Sequence, residues 1–216
     1  MAFKELIKYE AVGLSLTEKI QLMEVDLLEN GFSLVSMKGS NKNLNYAYLS
    51  EDSDYAVIII EPVCTNGRKY FCILTKEVYE QNKELVFSVE SNRHIISDDI
   101  SDTSEYRIMV YRSGIVDVHT SIWERIVEKG DLPDIDHQYH SHSINLEEFL
   151  RPCTRQQNKA NTKGTKSDDP IFKYKSEEDF SFTWYAFVYW KLFEKMTKEE
   201  AFAYNLKMNE QVKMDN

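Results

Sequence analysis

The sequence predicts an α+β fold, in which a mainly antiparallel sheet is flanked by helices and aromatic helices lie toward the C-terminus. Two apolar runs flank Asn66-Gly67, a dipeptide that favours a tight turn, and predict a hairpin over residues 55–75. Ser/Thr-x-x-Glu/Asp patterns before apolar residues at helical spacing predict helices on either side of the strand-rich stretch. The 216 residues include only 7 Gly and 4 Pro, which argues against a loop-rich β-sandwich.

The first well-specified helix spans residues 15–30. We expect residues 1–13 to form a short helix or an arm. Ser15 and Glu18 form a capping box, and apolar residues then recur at helical spacing. Gly31 suits the position that follows a helix C-terminus.

A meander of strands is expected to follow this helix. Strands are predicted over residues 32–38 and 46–49, with turns at 39–43 and 51–54. The hairpin of residues 55–75 then completes the meander.

The hairpin has a predicted register and one anomalous side chain. A two-residue turn at 66 and 67 pairs Glu61 with Cys72 and leaves both faces of the two strands apolar. Strands that are apolar on both faces are typical of the covered middle of a sheet. Glu61 is either a strand-end carboxylate that reaches water or a backbone amide, or a carboxylate that serves as a metal ligand or general base.

Shorter elements are expected up to residue 150. A helix at 76–82, a strand at 85–89 and an acidic loop at 90–105 lead to a hairpin that joins 106–111 to 115–118. A second capping box predicts a helix over 121–130. Ser143 is expected to cap a short helix that runs to Leu150 and stops before Pro152.

Residues 151–175 differ in composition from the rest of the chain. They hold seven Lys or Arg against two Asp, a local charge of +5. We predict a mobile basic loop between a core domain (1–150) and a C-terminal helical segment (176–216). The basic side chains that could contact nucleic acid are Arg151, Arg155, Lys159, Lys163 and Lys166.

The C-terminal segment is predicted to be helical. Residues 176–179 cap a helix whose aromatic side chains lie on all sides, which is typical of a helix buried between two surfaces. One surface would be the sheet, and the other could be a second subunit, giving a homodimer through residues 180–196. Thr197 and Glu200 form a capping box for a last helix that ends near Val212.

Charge and cysteine content limit the functional classes. The formal net charge is −10, so the chain outside residues 151–175 carries −15 and repels nucleic acid and anionic lipid. An odd number of Cys, no signal peptide and no long apolar run predict a cytoplasmic protein without a membrane span. Richness in Asn, Lys, Tyr and Ile suggests an AT-rich source such as a phage or mobile element.

One segment is rich in side chains that bind metals. Imidazoles three and five residues apart, with carboxylates beside them, could hold zinc or another divalent metal, although a solvated His-rich loop explains the same pattern. These residues are Asp134, Asp136, His137, His140 and His142. Apart from such a metal, the sequence predicts no cofactor.

No motif identifies a catalytic nucleophile or a nucleotide-binding loop. Cys153 lies beside Arg151 and Arg155, which would lower the pKa of its thiol, but no His neighbours it in sequence.

The order of elements over residues 16–75 resembles the core of restriction-endonuclease-like nucleases. Those folds hold a metal with an acid on one strand and an acid plus a lysine on the next. Here Glu61 matches an acid, Val63 occupies the position of the lysine, and Asn45 and Tyr46 stand where the first acid would be. The resemblance therefore implies an inactive relative.

The leading hypothesis is a non-enzymatic acidic interaction protein that inhibits or adapts a nucleic-acid-handling protein. It would bind the basic groove of that partner, as a nucleic-acid mimic would. A metal-dependent nuclease or hydrolase is the alternative, and a nucleic-acid binder acting through the basic loop is a third hypothesis. The predicted partner-binding residues are Asp98, Asp99, Asp102, Glu105, Trp184, Tyr185 and Tyr189.

Overall fold

The structure is a computed structural model that describes residues 5–10, 13–63, 67–91, 106–111, 115–117, 134–137, 141–160 and 183–214. The predicted helix at 121–130 and the predicted cap at 176–179 lie outside the described residues. The fold is α+β, as the sequence predicts.

The helices and strands occur in the following order. A 3₁₀ helix (Ile7–Glu10) precedes helix α1 (Leu16–Glu29), strands β1 (Ser33–Ser36), β2 (Asn43–Leu49), β3 (Tyr55–Pro62) and β4 (Tyr70–Thr75), helix α2 (Lys76–Asn82), and strands β5 (Phe87–Ser91), β6 (Tyr106–Tyr111), β7 (Ile115–Asp117) and β8 (Asp134–His137). A second 3₁₀ helix (Glu147–Phe149), strand β9 (Leu150–Cys153), helix α3 (Arg155–Ala160), helix α4 (Trp184–Phe187), a π-helical turn (Val188–Leu192) and helix α5 (Lys198–Met214) complete it.

Strands β1 to β4 form an antiparallel meander in chain order, and β3 lies between β2 and β4. Residues 56–60 of β3 are fully buried, so the prediction of a strand covered on both faces is confirmed. Strands β5, β6 and β7 form a second antiparallel sheet, which confirms the second predicted hairpin, and β8 pairs with β9.

The predicted tight turn of the central hairpin is wrong. Ile58, not Glu61, pairs with Cys72, a shift of three residues that moves every β4 side chain to the opposite face. Two contacts explain the shift. The amide of Val63 donates to the Lys42 carbonyl at 2.8 Å and so follows β2, while the amide of Lys69 donates to the Thr17 hydroxyl at 3.1 Å on α1. Strand β3 therefore ends at Pro62 and β4 begins at Tyr70.

The meander is covered by helices on one face and by β5 on the other. On the helical face Phe71 packs against Trp184, with ring centroids 4.8 Å apart, and Tyr55 packs against Phe187. On the other face the side-chain amide of buried Asn45 donates to the Phe87 carbonyl at 3.0 Å and accepts from the Phe87 amide at 3.1 Å. The Asn45 side chain thus satisfies both backbone hydrogen-bonding groups of Phe87, as a paired strand would, and joins the two sheets.

Three further predictions can be compared with the structure. Helix α1 carries the predicted capping box, and Gly31 follows it with φ of +83°, a conformation that suits glycine. Helix α2 has the predicted bounds. The predicted helix over 143–150 is wrong, because the backbone of residues 143–145 instead bonds to Ile73 along the outer edge of β4.

The predicted loop over 151–175 is also wrong in its first part. Leu150–Cys153 form β9, with Pro152 inside the strand, and Arg155–Ala160 form α3. Strand β9 lies in a two-stranded sheet, where a proline without an amide hydrogen is tolerated. Residues 161–175 lie outside the described residues.

The predicted aromatic helix is a short α-helix followed by a π-helical turn. Helix α4 continues into the π-helical turn, which ends at Leu192, and Glu194 two residues later has a φ of +51°. Helix α5 then begins with the predicted capping box, since the Thr197 amide donates to Glu200 and the Glu200 amide donates to the Thr197 hydroxyl. No helix among the described residues is long and apolar enough to cross a membrane.

A buried carboxylate on α1 binds both the N-terminal segment and the π-helical turn. Asp26 is 2% exposed. Its side chain accepts hydrogen bonds from Lys8 and Tyr9 of the N-terminal segment and from the Tyr189 hydroxyl at 3.1 Å. Tyr9 also stacks on Tyr185, with ring centroids 5.1 Å apart. Asp26 therefore fixes the N-terminal segment and the π-helical turn against the same helix.

We predict that Asp26→Asn lowers the free energy of unfolding by about 3 kcal/mol, because it removes the shared acceptor of a buried charge-assisted network. Chemical denaturation measures the change. Glu29→Gln makes the same exchange at an exposed site of the same helix and should alter stability by less than about 0.5 kcal/mol. Equal stabilities of the two variants would contradict the role of Asp26.

A second carboxylate of α1, two residues earlier, forms a similar network. Glu24 accepts from the hydroxyls of Tyr46 at 3.0 Å and Tyr48 at 3.2 Å, and its other oxygen lies 2.5 Å from the Lys69 ammonium. Burial and the nearby carboxylate raise the pKa of Tyr48 to about 12 and raise the pKa of Tyr46 further. Burial also raises the pKa of Tyr9, with Asp26 adding to the effect.

These raised pKa values predict alkaline unfolding. A group whose pKa is higher in the folded state stabilises that state fully below its unfolded pKa, about 10 for Tyr, and this stabilisation is lost as the pH rises through the folded pKa. Spectrophotometric titration should therefore show that part of the 13 Tyr ionises only on unfolding, whereas all titrate together in denaturant. Normal titration of every tyrosine in the folded protein would contradict the burial of these hydroxyls.

Candidate functional site

A cleft of about 560 Å³ lies between the turn that precedes β3 and the π-helical turn. We refer to it as the acidic cleft. It is lined by Asn30, Phe32, Ser50, Asp52, Ser53, Asp54, Tyr55, Trp190, Lys191, Leu192, Phe193, Glu194 and Met196.

Local hydrogen bonds shape the turn wall of the cleft. The Ser50 hydroxyl accepts from the Asp52 amide at 3.3 Å, and the Ser53 hydroxyl accepts from the Tyr55 amide at 3.2 Å. Both serines are buried, whereas Asp52 and Asp54 are exposed. Because the two serines point inward, the two carboxylates lie on the solvent-exposed side of the turn.

The opposite wall is built from irregular backbone. The Phe193 amide donates to the Val188 carbonyl at 3.1 Å, a bond that spans five residues and widens the helix. Glu194 then takes a left-handed conformation that is uncommon for any residue but glycine. π-Helical turns and such outliers occur often at functional sites, which makes this wall a natural place for one.

One lysine divides the cleft from a second cavity. Lys191 and Tyr55 also line a neighbouring space of about 430 Å³, together with Glu147 and Glu148. The Lys191 ammonium lies 2.8 Å from a Glu148 oxygen and 4.6 Å from the Trp190 ring centroid. Burial lowers the pKa of Lys191, but the hydrogen bond and charge of Glu148 outweigh it and raise that pKa overall.

The other charged groups at the cleft have no such partner. Asp52, Asp54 and Glu194 form no ion pair with any residue of the described chain, although all three carboxylates border one cavity. Since Lys191 is already neutralised by Glu148, the cleft as a whole is negative. Its lining also includes aromatic and serine side chains, of which Phe32, Ser50 and Ser53 are buried.

The residues predicted to bind metal are placed in structural contacts. Asp136 accepts from the Arg151 guanidinium at 3.1 Å, and Asp134 accepts from Asn158 at 3.2 Å. Buried His137 lies 3.1 Å from the Asn145 side-chain oxygen, and its ring centroid is 4.9 Å from that of His142.

Within the described ranges no three His, Cys, Asp or Glu side chains are placed to hold a metal ion. His140 lies outside these ranges. Glu61 sits half-buried near the end of β3, opposite Leu44. Metal binding therefore stays a prediction.

The predicted partner-binding aromatics belong to the core. Trp184, Tyr185 and Tyr189 are buried against the N-terminal segment, the sheet and α5, so packing within this chain replaces the surface role expected of them. A homodimer through residues 180–196 stays a prediction, because residues 180–182 lie outside the described residues and Trp190 and Phe193 are only half-buried. The predicted acidic partner-binding residues Asp98, Asp99, Asp102 and Glu105 lie outside the described residues.

The predicted basic residues do not form one loop. Arg151 binds Asp136, and exposed Arg155 lies 3.9 Å from Asp134. Lys159 is in α3. Lys163 and Lys166 lie outside the described residues.

Within the described residues, the positions that suggested a nuclease-like metal site are not brought together. Asn45 pairs with Ile60, so Asn45 and Glu61 point to opposite faces of the sheet. Comparisons with protein-family models, curated proteins and solved structures find no match to this chain.

Sequence reasoning missed the acidic cleft because its two walls are about 140 residues apart in the chain. The turn at 51–54 and the aromatic segment were each visible as local patterns. Contacts between distant segments bring them together, such as Tyr55 with Phe187 and Tyr189 with Asp26, and no local pattern encodes those contacts.

The expected lowering of the pKa of the Cys153 thiol is wrong. Cys153 is buried, and burial together with the charges of Asp136 and Asp134 raises the pKa of its thiol to about 12. Cys72 is free and fully buried, and burial likewise raises the pKa of its thiol. Neither thiol has the exposed, electropositive surroundings of a reactive cysteine.

We predict that a Cys64→Ser variant, which retains only Cys72 and Cys153, shows no fast reaction with a thiol reagent at mildly alkaline pH. Both thiols should react once denaturant is added, which serves as the control. A thiol that reacts rapidly in the folded variant would contradict the burial of one of them.

Proposed function

We propose that this chain is a non-enzymatic acidic protein that binds a nucleic-acid-handling protein through that partner's basic groove and inhibits or adapts it. The observation that carries the proposal is the net charge of −10 combined with a concave site whose carboxylates lack ion-pair partners in the described chain. Exposed negative charge of this kind steers association with a positive surface and disfavours nucleic acid itself.

The distribution of exposed carboxylates supports the proposal. They occur on the turn before β3, on α2, next to β9 and at the start of α5, which gives several separate elements a negative surface. Examples are Glu51, Asp52, Asp54, Glu77, Glu84, Glu147, Glu148, Glu194 and Glu199. The free thiols of Cys72 and Cys153 are consistent with a reducing compartment, and we propose the cytoplasm.

The proposal predicts a salt-dependent complex that competes with nucleic acid. The tagged protein is used to capture its partner from the native host at low salt, and the partner is identified and purified. The affinity of the reconstituted pair should fall by about tenfold or more between low and physiological salt, because the exposed charges are screened. DNA or RNA bound by the partner should be displaced as this protein is added.

The partner and its nucleic acid without this protein provide the control for displacement. An affinity that does not change with ionic strength, or a ternary complex in which nucleic acid stays bound in the same groove, would contradict the proposal.

A further inference from the structure

We infer that this chain forms a symmetric homodimer in which the open edge of β1 pairs with β1 of a second copy. The inference goes beyond the proposed function and does not depend on it. It rests on three features of β1: an uncovered edge, outward-pointing backbone groups that define a self-complementary register, and flanking charges of opposite sign.

The two edges of the meander differ in their protection. The edge of β4 is covered, because the Ile73 amide donates to the Ser143 carbonyl at 2.7 Å and the Asn145 amide donates to the Ile73 carbonyl at 3.0 Å. Strand β1 has only β2 as a neighbour within the described residues, and all 4 of its residues are exposed. Ser33–Ser36 include no charged residue and no proline, two common means of keeping an edge strand from pairing. This edge can therefore accept another strand.

The hydrogen bonds to β2 determine which backbone groups of β1 face outward. The Met37 amide donates to the Asn45 carbonyl at 3.3 Å, which makes these residues a hydrogen-bonded pair in the register of β1 and β2. Such pairs recur at every second residue, so Val35 also directs its amide and carbonyl toward β2. The amides and carbonyls of Leu34 and Ser36 therefore point away from β2, at the open edge.

These outward groups define one register for a second copy. An antiparallel β1 places Leu34 opposite Ser36 of the second copy and Ser36 opposite its Leu34, with the two-fold axis at Val35. Each of these pairs exchanges both of its N–H···O bonds. A register shifted toward the N-terminus would need the Phe32 amide, which already donates to the Leu27 carbonyl at 2.9 Å. A shift in the other direction would use residues beyond the end of β1.

The same register brings apolar side chains together on both faces of the joined sheets. Val35 is 37% exposed and lies on the same face as its partner Ala47; at the two-fold axis it contacts Val35 of the second copy. Side chains approach most closely in such a non-hydrogen-bonded pair. Leu34 is 58% exposed, lies on the face of Tyr48 and becomes a diagonal neighbour of Leu34 of the second copy. Pairing thus removes apolar surface from water on both faces.

Charges at the two ends of β1 favour a second copy as the occupant. Lys38 and Lys42 lie between β1 and β2, whereas Glu51 and Asp52 follow β2 beside the start of β1. All four side chains are exposed and form no ion pair within the described residues. A two-fold axis across β1 brings the basic end of each copy to the acidic end of the other. This local complementarity opposes the repulsion between two chains of net charge −10.

The first test measures the association of the complete protein. The contact is small, so we expect a weak dimer, with a dissociation constant below about 100 µM in sedimentation velocity over roughly 5 to 500 µM. Leu34→Lys should weaken the dimer by about tenfold or more, because it puts a charge on the pairing edge. Leu206→Lys makes the same exchange at a side chain of α5 that is 50% exposed and should leave the dimer within about twofold. Thermal melting confirms that both variants are folded.

The second test measures the register by disulfide cross-linking in the Cys64→Ser background. Val35→Cys should form a cross-linked dimer, because facing residues of a non-hydrogen-bonded pair lie within the range that a disulfide spans. Leu34→Cys places its thiol on a diagonal, about 7 Å or more from its mate, and should cross-link far less. Alkylation before denaturation keeps the buried thiols of Cys72 and Cys153 from forming bridges afterwards.

Several outcomes would overturn the inference. These are a chain that stays monomeric at about 500 µM, equal effects of the two lysine variants, and equal cross-linking at positions 34 and 35. A dimer that survives Leu34→Lys and does not cross-link through Val35→Cys would place the contact on another surface, such as residues 180–196. Pairing of β1 only with a strand of a different protein would leave this chain monomeric alone and would equally overturn the homodimer.

Discussion

The buried carboxylate of Asp26 is the constraint on which the arrangement of this protein depends. One side chain on α1 collects a lysine and a tyrosine from the N-terminal segment and a tyrosine that lies 163 residues away. A carboxylate buried to this degree would be costly without such donors. Because Tyr189 belongs to the π-helical turn, the same network sets the position of one wall of the acidic cleft.

Helix α1 thus holds the surrounding segments through polar contacts as well as apolar ones. Its buried apolar residues pack on the sheet, while Glu24 and Asp26 gather four tyrosine hydroxyls and two lysines from distant segments. Hydrogen bonds to charged groups contribute more than neutral ones and demand fixed geometry. The helix therefore specifies which segments meet, whereas the apolar core supplies the general driving force for burial.

Local physics explains which parts of the fold could be predicted. The capping boxes at Ser15 and Thr197 and the bounds of α2 follow from contacts between residues three or four apart, so their sequence patterns determine them. The register of the central hairpin depends on Thr17 and Lys42, which lie far from the turn in sequence. A pattern that is apolar on both faces cannot tell one register from another, and the wrong pairing of Glu61 followed from that ambiguity.

The candidate site was still less accessible to sequence reasoning, because a charge pattern does not show which charges are paired. The described structure does show it. The buried acids Glu24, Asp26 and Asp136 each have a basic partner, in Lys69, Lys8 and Arg151 respectively.

Asp52, Asp54 and Glu194 have no basic partner in the described chain, and they meet at a cavity. The three buried carboxylates, whose burial would be costly without a cation, are by contrast each paired, and much of the excess negative charge lies at the surface. An acid left unpaired on a flat surface is adequately solvated by water. The exposed acids at the cleft are solvated in the same way, and they add to the negative surface through which we propose that this protein binds its partner.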